Sequence, residues 1–110
     1  MTTTPTVLIQ SKTAENAETT QYISNNCTTL IDKFTALNIS GATQTLTVSL
    51  VPNGQTAGAS NKQITVSVLA GKSYQFPELV GHTLNPSDFI STLPSAASAF
   101  NIRASGRQVT

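Results

Sequence analysis

The chain predicts an all-β fold, a single antiparallel β-sandwich of about eight short strands, immunoglobulin-like or jelly-roll. Three observations lead there. Residues Thr45 to Leu50 and Ile64 to Val68 alternate hydroxyl and apolar side chains without a break. Successive side chains leave a strand on opposite sides, so such alternation marks strands with one buried face. Short apolar runs recur at spacings of roughly 8–12 residues, each followed by turn chemistry. Finally, no segment is a long amphipathic helix of the kind that connects parallel strands. At 110 residues the chain has room for one domain and one core.

Taken in order, residues 1–5 are Thr-rich and read as an extended N-terminal arm. Val7, Leu8 and Ile9 make a short first strand, and residues 11–20 a polar loop or one helical turn with no apolar stripe to dock. The domain organisation is therefore an arm, short strand and loop over 1–20, then a sandwich over 21–110. Tyr22 and Ile23 suggest a short second strand and Asn25-Asn26 a turn. Thr28 to Leu37 reads as a longer strand with apolar residues on both faces. Residues 38–42 would turn it into the clean strand at 45–51, an antiparallel hairpin.

Pro52-Asn53-Gly54 ends that strand, because Pro fixes φ and Asn-Gly favours a tight turn. The connection from Pro52 to Asn61 is long for a small sandwich, and long loops are often functional. The strand at 63–69 follows, then a tight turn at Ala70-Gly71-Lys72 and a short strand with Tyr74 and Phe76 on one side. Pro77 to Gly81 reads as one helical turn, with Pro starting it and Gly stopping it. Phe89 to Leu93 and Ala99 to Ala104 are strands, the latter with Phe100 and Ile102 inward and Arg103 outward. Ser105-Gly106 would break that strand, leaving Arg107 to Thr110 as an edge strand or tail.

Composition limits the function classes. Net charge is +1, without the clustered Lys and Arg that a nucleic-acid footprint needs. Charged residues make up 10% of the chain, against about 25% in a typical domain. Either neighbours cover much of the surface, or 18 threonines and 12 serines, with Asn and Gln, keep it soluble. The lone Cys27 can form no intrachain disulfide and no cysteine-rich zinc site. The N-terminus lacks a basic segment followed by a long apolar run, and no segment approaches the ~20 apolar residues of a membrane helix. These features predict a protein made in a cytoplasm, with no nucleic-acid or membrane partner and no cofactor.

Candidate chemistry is sparse. His82 and Asp88 could be combined with a serine into a triad, but no Gly-x-Ser-x-Gly elbow presents a nucleophile. A loop or interface role for His82 is the simpler expectation. Glu78, Asp88 and His82 could be imagined around one metal ion, without a ligand-spacing pattern. Cys27 has no close basic neighbour in sequence and reads as a small core hydrophobe. Arg103 and Arg107 are the most concentrated positive charge and fit edge protection or docking onto an acidic neighbour. The expectation is a protein that is not an enzyme. Its candidate contact residues are Thr4 and Pro5 in the arm, Asn53, Gln55 and Asn61 in the long loop, and His82, Arg103 and Arg107.

The segments LTVSLVPNG, VSVLAGKSYQFPELVGHTL and DFISTLPSAASAFNIRASG carry a resemblance over roughly residues 28–110. They resemble small β-sandwich virion proteins of tailed bacteriophages. The likeness rests on a strand ending in Val51-Pro52, a Gly-containing turn before Tyr74, the PELVGH segment and a strand ending in Ala104-Ser105-Gly106. It implies a capsid decoration or cement protein on the virion exterior, bound to the major capsid protein. A site on a capsid symmetry axis would imply a homodimer or homotrimer. A neck, tail or baseplate component is the alternative within the same particle. A receptor- or carbohydrate-binding module is a third reading, disfavoured by the absence of Trp and the presence of only two Tyr.

Overall fold

A computed structural model describes residues 2–110, which form nine strands and one short 3-10 turn. The strands are β1 (Thr3–Thr13), β2 (Thr19–Ile23), β3 (Thr28–Asn38), β4 (Gln44–Val51) and β5 (Lys62–Val68), followed by β6 (Ser73–Tyr74), β7 (Thr83–Leu84), β8 (Phe89–Pro94) and β9 (Phe100–Val109). The 3-10 turn, Pro77–Leu79, lies between β6 and β7. One sheet runs β1-β9-β3-β6, with β7 also paired to β3; the other runs β2-β8-β4-β5. Every pairing is antiparallel.

The strand order distinguishes the two architectures the sequence allows. β6 pairs at Ala36 and Leu37 of β3, and β7 at Thr29 and Leu30, so they act as two pieces of one interrupted strand. Counted that way, the chain is a long antiparallel ribbon. β4 lies beside β5, β3 beside β6 and β7, β2 beside β8, and β1 beside β9. Its apex is the 52–61 loop. Successive pairs fall in opposite sheets, so the ribbon is rolled on itself, which is the jelly-roll arrangement.

The core lies between the sheets. Phe34, Phe76, Phe100, Leu46, Ile90 and Ile31 are completely buried. Each is stabilised by about 1.5–3 kcal/mol relative to exposure. Phe76 sits outside β6 with φ +45°, an unusual backbone for a bulky residue. Its ring is clamped edge-on by Phe34 at 5.0 Å and by Tyr74 at 4.9 Å, which offsets that strain. Asn38, at the end of β3, is fully buried. Its Nδ2 donates to the Ala42 and Val68 carbonyls, and its Oδ1 accepts from the Ser40 backbone and hydroxyl. This side chain ties one sheet to the other.

Four expectations need correction. Residues 3–5 are not a free arm. They open an 11-residue strand that runs through Thr13 and pairs with β9 from Thr3↔Val109 to Thr13↔Asn101. The period was unreadable because register shifts between Val7 and Ile9 and between Ile9 and Lys12 let adjacent Leu8 and Ile9 both turn inward. β3 and β4 do not form a hairpin; they belong to different sheets, because the ribbon turns over between them. Phe76 lies beyond the two-residue β6, not in a strand with Tyr74. Finally, Ser105-Gly106 does not break β9. Gly106 is held between Thr6 and Ile31 in the two ladders, and a Cβ there would run into the Leu30 carbonyl. The glycine allows close approach within the sheet.

Candidate functional site

The two outer faces of the sandwich differ in chemistry. In the β1-β9-β3 sheet, β3 carries Asp32 and Lys33, and β9 carries Arg103 and Arg107, all exposed. Asp32 and Lys33 sit at a register shift in β3, which swings Asp32 toward β9. Arg107 Nε donates to both Asp32 oxygens at 3.2 and 3.0 Å, and its Nη2 to Oδ1 at 3.0 Å. The carboxylate raises the Arg107 pKa further above its ordinary value. Pro5, Thr6, Val7 and Ser105 border the same shallow hollow. Arg103, with Thr35, Leu37 and Ser11, borders a second one on this sheet.

The β2-β8-β4-β5 sheet has one charged strand residue, Lys62, at the start of β5. Its outer face is built from residues out of phase with the buried Leu46, Val48 and Ile90. Thr47 lies between Leu93 and Thr65, and Thr45 lies opposite Ser67. The Thr47 and Thr65 hydroxyls bond at 2.9 Å. Leu93 and Ile23 are exposed at 37% and 53%, and Phe89 is half-buried beside Ile23. The alternation thus leaves hydroxyls outward at Thr45, Thr47, Thr65 and Ser67. Ser49 departs from it: the side chain is fully buried and its Oγ has no partner among the described residues.

The candidate contact residues do not converge on one site. Thr4 and Pro5 face Gln108 and Arg107 across the β1–β9 ladder, so these three candidates share the charged sheet with Arg103. Asn53 and Gln55 are exposed in the apical loop. The Asn53 N–H donates to Asp88 Oδ1 at 2.9 Å, which fastens that loop to the 85–88 turn. Asn61 is a correction. Only 4% exposed, it folds the loop on itself, accepting from the Gly58 N–H and donating to the Thr56 carbonyl. His82 is exposed before β7, where its carbonyl accepts from the Ile31 N–H.

The groups considered for chemistry are occupied structurally. Asp88 also accepts from the Asn85 N–H, and Glu78 accepts from Tyr74 Oη at 2.7 Å, which raises the tyrosine's pKa. Among the described residues, no hydrogen bond joins the His82 ring to either carboxylate, and no group of three His, Cys, Asp or Glu residues could hold a metal ion. Cys27 is buried, as the sequence suggests, but in a polar setting. Ser24 Oγ donates to its carbonyl, and Thr29 Oγ1 lies between Ser24 Oγ and Tyr22 Oη. No helix is long and apolar enough to cross a membrane.

The candidate residues chosen from sequence omit Ile23, Phe89, Leu93 and Thr47. A signal for them was present: segments 19–23, 44–51, 62–68 and 89–94 contain one charge between them, and only their assembly into one sheet makes that a surface. The class defined by the fold is a jelly-roll β-sandwich. Comparison of the chain with family models, with curated proteins and with solved structures finds no match in any of the three.

Proposed function

We propose that the protein is a non-enzymatic structural component of a tailed-phage virion, a capsid decoration protein bound to the major capsid lattice. The observation that supports this reading is the charge-poor outer face of the β2-β8-β4-β5 sheet, whose charges are Lys62 opposite Ser49 and the Glu18 carboxylate, which accepts from Ser91 Oγ at 2.6 Å. The hydroxyls of that face, with Ile23, Phe89 and Leu93, can pack against another protein with few charges to desolvate, the usual penalty of covering a surface. Jelly rolls occur in viral capsid proteins and in lectins alike, so the architecture by analogy serves both a capsid and a carbohydrate reading. The low charge of the whole chain favours the first.

The test is to add the purified protein to particles lacking it and to count copies in intact virions by mass spectrometry. Saturable binding, with a copy number matching the capsid lattice, is the expected result. A single small ring of copies would place the protein in the neck, tail or baseplate. Failure to bind such particles would sink the decoration role.

A further inference from the structure

The two sheets end in three long or medium edge strands, and these are unequally protected. β1 carries Pro5, Lys12 and two register shifts, all of which discourage a further strand from pairing. β2 has five residues and a register shift between Thr20 and Tyr22. β5 is regular from Ile64 to Val68, without proline or charge in that span; its irregularity and Lys62 are confined to its first residues.

The backbone direction of β5 follows from its neighbour. The Thr45 N–H donates to Ser95 Oγ, and the Thr45 carbonyl accepts from the Ser95 N–H, so Thr45 faces away from β5. Antiparallel ladders alternate, so Gln44, Leu46 and Val48 bond toward β5, to their partners Val68, Val66 and Ile64. The N–H and C=O groups of Thr65 and Ser67 therefore point outward from the sheet. No hydrogen bond from another described residue reaches them.

We infer that this edge pairs, antiparallel, with the same edge of a second copy of the chain about a two-fold axis at Val66. That axis sets Thr65 opposite Ser67 of the other copy, and Ser67 opposite Thr65. All four residues present outward-facing groups, so both pairs are hydrogen-bonded and the register is self-complementary. It uses no residue of the irregular start of β5. On the core side Val66 meets Val66, and Ile64 meets Val68. Ile64 and Val66 belong to the core-facing row yet remain half-buried at the sheet edge, where no further strand follows β5. A second copy would continue the sheet and cover both. Lys62 of each copy falls opposite Ala70, so like charges do not meet. This pairing stands whether or not the protein is a virion component.

The experiment is sedimentation equilibrium of the full chain over a concentration series, beside the variants Thr65→Pro and Val66→Cys. The Thr65 N–H makes no bond within the sheet, so proline there removes the intermolecular donor and, inside the chain, the exposed hydroxyl bond to Thr47. The expected result is a dimer whose dissociation constant rises about tenfold or more in Thr65→Pro, since each copy loses a bond, with an unchanged circular dichroism spectrum. Val66→Cys should form a disulfide-linked dimer under oxidised glutathione, because directly opposed residues of a non-hydrogen-bonded pair lie close enough to bridge. A wild type that stays monomeric throughout the series, or a dimer insensitive to Thr65→Pro, would overturn the pairing. If Thr65→Pro fails to fold, the cross-link decides, and its absence overturns the pairing equally.

Discussion

The two sheets share one core but present opposite surfaces. The outer face of β1-β9-β3 holds Asp32, Lys33, Arg103 and Arg107, with Arg107 committed to Asp32 by a forked ion pair. The outer face of β2-β8-β4-β5 holds mainly threonine, serine and three apolar side chains, with Lys62 and the Ser91-bound Glu18 carboxylate as its charges. Hydration explains the contrast. Exposed ion pairs add little stability, yet they keep a face wet and hard to cover, because covering it means desolvating charge. A face made mostly of hydroxyls carries a lower barrier. The two sheets thus differ in what covering them would cost.

The comparison rests on a rigid core that holds the faces apart, and the largest expected effect comes from weakening it. Phe34→Ala removes a fully buried ring and its edge contact with Phe76. It should cost about 3–5 kcal/mol in urea unfolding. Next come matched charge changes on the two faces. Leu93→Lys should leave stability within about 0.5 kcal/mol yet weaken particle binding at least about tenfold, by burying an unpaired charge. Lys33→Glu on the other face should leave binding unchanged. The reverse outcome would exchange the roles of the faces.

Gly106→Ala sharpens the account of the charged sheet. A methyl group directed at the Leu30 carbonyl should destabilise the fold by about 1–3 kcal/mol, again read from urea unfolding. On the hydroxyl side, Ser49→Ala removes a buried hydroxyl that lacks a partner, and should be neutral or stabilising by up to about 1 kcal/mol. The smallest effect concerns Glu15, in the loop after β1. A hydrogen bond from Lys12 at 2.7 Å, together with one from Gln21, lowers its pKa from 4.5 to about 2. The depressed value means that its contribution is complete above pH 4.5 and fades as pH falls toward 2. The pair is well exposed to solvent, so the contribution is small. In an NMR titration, Lys12→Ala should return the Glu15 midpoint toward 4.5.

The legible parts of the fold were those with an unbroken period. β4 and β5 stand where Leu46-Val48 and Ile64-Val66-Val68 put them, and the Pro77 turn lies where proline marks it. β1 and the second half of β9 were illegible for opposite reasons. In β1 two register shifts scrambled the alternation. In β9 a glycine that reads locally as a breaker was required by the Leu30 backbone on the neighbouring strand. The candidate contact residues fared similarly. Exposure at Asn53, Gln55, His82, Arg103 and Arg107 could be guessed from residue type, whereas the burial of Asn61 depends on a loop closing around its amide.

By itself, the sequence determined the class: alternation and turn chemistry are local properties, and they specify half-buried antiparallel strands wherever the chain goes. It determined as well that charge is scarce. Only the tertiary structure decided that the strands roll into a jelly roll, because pairing joins residues as far apart as Thr3 and Val109. The same pairing collected the nearly uncharged segments into one sheet and left β5 at its rim. Which strands become neighbours is settled by the burial of both inner faces together, and no single segment carries that information.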